Sequence, residues 1–140
     1  MEKKIPRCFY RVSVKALILD DQKRFLLTKE EDGKWDLPGG GLDFGKKPKE
    51  CLAREIKEEM GVDVISVEDR PSYFLTSQKE NKFWMANIIY LTKTKDLEFT
   101  PSGECVEVRF FTKEEALKED LISNVVEFAA KYDPKNHHKR

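Results

Sequence analysis

Residues 35–62 read WDLPGGGLDFGKKPKECLAREIKEEMGV, a glycine triplet followed by a segment with helical periodicity. Pro48 suits a first helical turn, where a missing N–H costs nothing, and Gly61 suits the residue just past a helix end. At ~100° per residue, Leu52, Ala53, Ile56 and Met60 share an arc about 100° wide that should face a core. Glu55, Glu58 and Glu59 share the neighbouring arc. Like charges at this spacing weaken a helix by ~0.2–0.5 kcal/mol per pair. They also lie in the C-terminal half, where the helix dipole disfavours anions. Two unfavourable effects on one feature suggest that a cation is expected there, although a helix alone carrying these residues reads equally well as a solvated charged face. Arg54 can hydrogen-bond a carboxylate and fix its orientation. Gly39–Gly41 places a backbone without side chains just before the helix, where a ligand can approach closely.

Working outward, Val12–Leu19 alternates and then turns apolar, residues 20–23 read as a turn, and Phe25–Thr28 resumes the apolar run. This predicts a β-hairpin. Val62–Val67 reads as a strand, and Ser72–Thr76 with Phe83–Thr92 as a strand pair joined by polar residues 78–81. After a loop over 96–103, Val106–Phe111 reads as a strand with Val106, Val108 and Phe110 on one face. Thr112 and Glu115 form a capping box for a short helix. A last helix, about Leu121–Tyr132, carries Val125, Val126, Phe128 and Ala129. Strands before, between and after helices predict an α+β layered domain with a mixed sheet.

The 140 residues make one domain the expectation, spanning 1–140 with a core of about 5–132 and a short tail. Lysine and arginine number 26, as do aspartate and glutamate. A net charge of zero offers no general pull towards DNA, RNA or an anionic membrane. Apolar runs such as Ala16–Leu19 and Ile88–Leu91 fall far short of the ~20 residues a spanning helix needs. Lys3, Lys4 and Arg7 start the chain, but Arg11 and Lys15 interrupt any apolar signal core. Cys8, Cys51 and Cys105 are odd in number and far apart, which fits a reducing, cytoplasmic setting. The two histidines, His137 and His138, sit in the tail, so zinc-type His/Cys spacing is missing and a metal here would be held by oxygen. Carboxylates with substrate phosphates suit Mg²⁺.

Taken together, Gly40–Val62 resembles the signature box of the Nudix hydrolases, G-x5-E-x7-R-E-U-x-E-E-x-G-U with U aliphatic. Gly40, Arg54, Glu55, Ile56, Glu58, Glu59, Gly61 and Val62 match, and Lys46 stands where the pattern has glutamate. Residues 35–39 look like the family's lead-in, and Arg109–Phe111 with Thr112 and Glu115 like its late strand and helix. The resemblance is to a small MutT-like Nudix domain. It implies the Nudix fold, an α/β/α sandwich with a mixed central sheet and the box loop and helix on one face.

The resemblance also implies a chemistry. The Gly40 carbonyl with Glu55, Glu58 and Glu59 would bind Mg²⁺, with Mn²⁺ as a substitute. Glu55 or Glu58 would take a proton from the attacking water, and Arg54 would orient them. Glu104, before the late strand, would add a metal ligand or base. Gly39, Gly41, Lys29, Lys46 and Trp35 are candidates to contact substrate, and Tyr10, Tyr73, Phe74, Phe83 or Trp84 to stack on a base. The reaction implied is hydrolysis of a pyrophosphate bond in a nucleoside diphosphate linked to a group X. Subfamily signatures for ADP-ribose, diadenosine polyphosphates and NADH are missing downstream of the box, which leaves a (d)NTP or another small nucleotide as the default. The rival reading is a nucleotide-binding or regulatory module weakened by Lys46. Dimers common in the family imply a homodimer.

Overall fold

The chain folds, in a computed structural model that describes residues 7–137, as two sheets packed between helices. The expected domain's ends, residues 1–6 and 138–140, lie outside the described residues, and with them Lys3, Lys4 and His138. The elements are β1 (Tyr10–Leu17), β2 (Phe25–Lys29), β3 (Trp35–Asp36), β4 (Gly39–Gly41), α1 (Pro48–Met60), β5 (Val64–Val67), β6 (Tyr73–Lys79), β7 (Phe83–Thr94), β8 (Glu107–Phe111), α2 (Lys113–Ala116) and α3 (Ser123–Lys131). The large sheet runs β4-β1-β7, with β5 and β6 both pairing along the far edge of β7. β1 and β7 are parallel and the other pairs in this sheet antiparallel, so the sheet is mixed. The small sheet runs β3-β2-β8.

The predicted hairpin over Val12–Thr28 is corrected by the structure. Leu19 and Phe25 bridge, and the Leu26 N–H donates to the Ile18 carbonyl, but the two strands then part into different sheets. The reason is burial. β1 from Ser13 onward and β2 from Phe25 to Thr28 are buried on both faces. A doubly buried strand is stable inside a sheet, with a partner on either side. β1 finds β4 and β7; β2 finds β3 and β8. The other predicted pair does form a hairpin, β6 with β7. Glu80 and Asn81 take positive φ at its tip, the conformation a tight right-twisting hairpin turn requires.

Helix α1 occupies the predicted span. Gly61 ends it at φ 70°, its N–H closing on the Lys57 carbonyl at 2.9 Å. Leu52, Ile56 and Met60 are fully buried with Val14, Ala16, Tyr90 and Cys105 on one side of the large sheet. Burying each such side chain stabilises by roughly 1.5–3 kcal/mol. On the other side Phe25, Leu27, Trp35, Phe111, Val125 and Phe128 form a second core under α3. The capping box at Thr112 and Glu115 forms as predicted. Val106 lies outside β8 and is exposed, whereas Val108 and Phe110 pack on the α1 side; Val126 is exposed on α3. Among the described residues no helix is long and apolar enough to cross a membrane.

Candidate active site

The glycine triplet is a strand. β4 pairs antiparallel with β1 in the register Lys15↔Gly39, Val14↔Gly40, Ser13↔Gly41. At Gly39, φ is +135° and a Cβ would collide with the Val14 carbonyl, so glycine is required by both conformation and space. A Cβ on Gly40 would stand 2.6 Å from Glu55 Oε2, and one on Gly41 2.9 Å from Arg11 Nη2. The missing side chains leave a cradle for one carboxylate and one guanidinium.

This strand, α1 and the β1–β7–β6 surface enclose a cavity of about 380 Å³. Near the Lys15 end of β1 it is lined by Glu30, Asp36, Glu55, Glu59 and Glu104. Towards the Arg11 end it is lined by Phe83, Met85, Ser77 and Lys79, and by Ile122, Ser123 and Asn124 at the start of α3. The floor is a polar ladder across three strands. Ser13 donates to Asn87 Oδ1 at 2.6 Å, and Asn87 Nδ2 donates to Ser77 Oγ at 3.0 Å. Asn124 is 6% exposed, and its Oδ1 is the one buried side-chain oxygen or nitrogen among the described residues without a hydrogen-bond partner. A buried acceptor without a donor is costly, and this one belongs to a residue of the cavity wall.

Glu59 is held at the carboxylate end by a hydrogen bond from the Gly39 N–H to Oε1, 2.8 Å. Burial pushes its carboxyl up to about 8, against the attraction of Lys15 and the Gly39 N–H, with Asp36 and Glu104 adding to the rise. Burial also raises Glu55, where Arg54 opposes it and Glu58 and Glu104 assist. Lys15 is buried, which disfavours its charge, yet Asp36 and Glu59 outweigh this and hold the ammonium protonated. Glu104 arrives on a loop fastened to the end of α1: Thr100 N–H donates to the Met60 carbonyl and Ser102 Oγ to the Glu59 carbonyl.

Of the residues singled out from sequence, Gly39, Gly40, Gly41, Glu55, Glu59 and Glu104 come together on this cavity. Glu58 and Arg54 lie outside its lining: Arg54 Nη1 donates to Glu58 Oε1 at 2.9 Å and Nη2 to Glu55 Oε1 at 3.2 Å. Trp35 is 2% exposed, edge-on to Phe111 in the α3-side core, and does not reach the cavity. The Lys29 ammonium sits 5.7 Å from the Trp35 ring centroid, also outside the lining. Lys46 is exposed in the loop before α1, and none of the ion pairs among the described residues includes it. Phe83 is the one stacking candidate on the cavity. Tyr73 packs on Phe128, and Tyr10, Phe74 and Trp84 alternate to the outer face of the sheet. Cys105 is buried, its thiol raised to about 11 chiefly by burial, which leaves no thiolate for nucleophilic work.

The donor set fits a hard divalent ion: carboxylate oxygens, a glycine cradle against Glu55, and no histidine or cysteine competitor in the lining. Among the described residues no three such side chains already converge at metal-holding distance. Arg54 bridges Glu55 and Glu58, and the Gly39 N–H holds Glu59.

Comparison with known proteins bears on the family and the fold. The family model of the NUDIX domain matches residues 9–132. An RNA pyrophosphohydrolase from a Nitratiruptor species is 40% identical over 64 residues, 41% of this chain and 41% of that protein. A Bacillus subtilis (strain 168) protein provisionally named an 8-oxo-dGTP diphosphatase is 38% identical over 64 residues, 41% of this chain and 43% of its own length. The chain thus spans about two-fifths of the length of these curated relatives. The crystal structure of a MutT protein from Methanosarcina mazei Go1 superposes with a TM-score of 0.77 at 24% identity, covering 96% of this chain and 100% of that one, a likeness of fold. With the glycine strand, the carboxylate helix and the family model in agreement over the same residues, the chain belongs to the Nudix family.

Proposed function

We propose that this protein hydrolyses a pyrophosphate bond in a small nucleoside diphosphate derivative, a (d)NTP or similar molecule, with a divalent ion, Mg²⁺ by preference. The observation that carries this reading is one cavity lined by Gly40, Glu55, Glu59 and Glu104 and also by Phe83, Met85 and Asn124. A volume near 380 Å³ falls at the lower end of the ~300–1,000 Å³ range of small-molecule sites. Relatives named for RNA and for 8-oxo-dGTP both handle nucleotide phosphates, so an RNA 5′ end stands beside free nucleotides in the test.

In this reading Glu55, Glu59, Glu104 and the Gly40 carbonyl hold the ion. Bound there, it supplies positive charge against the phosphate oxygens and makes water more acidic. Glu55, facing the cavity, accepts the proton as water attacks phosphorus. The bridging P–O bond breaks, and the leaving phosphate departs with its electron pair. Phe83 stacks on the base, with Arg11, beside Gly41, and Lys79 lining the same end of the cavity. Glu58 and Arg54 act one step back, setting where Glu55 points.

Incubation with a panel of nucleotides and a 5′-triphosphorylated RNA oligonucleotide, with and without Mg²⁺, tests the reading. Release of NMP and pyrophosphate, or NMP and phospho-X, should require metal and be lost in Glu59→Gln. Tight nucleotide binding with no product at high protein concentration would instead establish the binding-module reading, which Lys46 favours. Lys46→Glu separates its causes: a gain shows that the lysine weakens the site, a loss that it touches substrate.

A further inference from the structure

Lys15 belongs to no motif, yet it is the buried cation of the site. It lies on β1 between Val14 and Ala16, both fully buried, at a position where an apolar side chain would serve packing better. Its ammonium donates to Asp36 Oδ2 at 3.1 Å and to the Leu37 carbonyl at 3.2 Å, in a pair whose side chains are 8% and 16% exposed. Glu59 and Glu30 also lie close enough to bear on its charge. The five cavity carboxylates therefore divide. Glu55 lies against Gly40, Glu59 accepts from the neighbouring Gly39 N–H and Glu104 lines the same cavity, while Asp36 bonds the ammonium and Glu30 acts on its charge.

We propose that Lys15 is a tethered counter-ion that occupies the Asp36–Glu30 end of the carboxylate cluster and confines divalent metal to the Gly40–Glu55–Glu59 end. A buried ammonium beside a carboxylate neutralises it and repels a further cation by the same charge. An ion at the Gly40 end thus meets carboxylates that do not hydrogen-bond the ammonium, whose bonds go to Asp36 and the Leu37 carbonyl, although its charge still reaches Glu59. The inference rests on the metal reading of the site given above, and it concerns this chain's own lysine rather than the metal ligands.

Free Mn²⁺, counted by electron paramagnetic resonance during titration, gives stoichiometry without reference to catalysis. The wild type should bind its Mn²⁺ at the Gly40 end alone, and Lys15→Met should take up one additional ion per chain. Equal stoichiometry in the two proteins overturns the proposal while leaving the metal reading intact. Should Lys15→Met fail to fold, anomalous scattering from Mn²⁺-soaked wild-type crystals decides the matter. A peak beside Glu55 and Glu59 with none bonded to Asp36 supports the proposal, and a peak bonded to Asp36 overturns it. Wild-type protein that binds no Mn²⁺ at all overturns this proposal and the metal reading together.

Discussion

Glu59 allows the conflict between stability and function to be measured with one substitution. In the metal-free protein its carboxyl is buried and raised from 4.5 to about 8. A carboxyl that binds its proton more tightly when folded favours the native state below the unfolded value, near 4.5. That advantage is lost as pH rises through about 8. The distance between the two values, at ~1.4 kcal/mol per pH unit, sets a ceiling of roughly 5 kcal/mol on the loss. Glu59→Gln keeps an acceptor oxygen for the Gly39 N–H and removes the ionisation. In a chelator, the variant should therefore match the wild type near pH 5 and exceed it at about pH 9 by at least about 2 kcal/mol, within that ceiling.

Urea denaturation at half-unit pH steps across this range reads the difference directly. For a domain of this size each kcal/mol is worth roughly 3–5 °C in melting temperature, so thermal scans serve as a second measure. The carboxylates lowered by hydrogen bonds, Asp20 and Glu115, titrate below this window and cancel in the comparison. Added Mg²⁺ should reverse the order, stabilising the wild type and leaving the variant nearly unmoved. Parallel stability–pH curves for the two proteins would refute the argument that buried Glu59 is stored strain released by a cation.

Gly40→Ala should leave folding within about 1 kcal/mol, since Gly40 is not held in the left-handed region, while its Cβ displaces the Glu55 carboxylate. Chemical denaturation and Mn²⁺ binding, measured side by side, should show intact stability with metal affinity reduced tenfold or more; loss of both together would contradict the cradle. Asn124→Leu removes an unpaired buried oxygen, so stability should hold or rise slightly. Its KM should rise with kcat little changed, and unequally between nucleotides of different base; a uniform effect across bases argues against base contact. Phe128→Ala, in the aromatic cluster with Phe25, Tyr73 and Tyr132, should cost about 3–5 kcal/mol in urea denaturation without altering metal affinity per folded molecule.

The helix and its carboxylates were legible because a period of about 3.6 and a glycine stop act within a dozen or so residues of one another. Pairing partners were not. Val12–Leu19 and Phe25–Thr28 carry a sound hairpin signal, and it was overridden because both strands are buried on both faces. A doubly buried strand needs two neighbours, which here come from residues far along the chain, β7 and β8. The word GGG illustrates the same limit. Locally it reads as a turn, and its actual work, pairing with β1 while leaving room for Glu55 and Arg11, is visible only when both partners are placed.

The half of the site that was missed had a signal of a different kind. Ser13 and Lys15 interrupt the apolar residues of β1 at alternate positions, and alternation puts them on one face. A polar residue at every second place in an otherwise buried strand is expensive unless something polar faces it. Asn87 supplies that on β7, and Asp36 beside β4. Asn124 carried no such mark, since an asparagine near a helix start reads as an ordinary terminus residue; its meaning comes from the cavity it closes. Trp35 shows the opposite error, a residue next to the signature drawn towards it by proximity. β3 pairs its neighbour Asp36 with β2 and turns the indole into the α3-side core, so that Asp36, not Trp35, reaches the site. Charge neutrality over the whole chain is compatible with all of this, because a total says nothing of placement: five carboxylates line one cavity, and Lys15 offsets one of them, Asp36, over a few ångströms, where Coulomb attraction is strong.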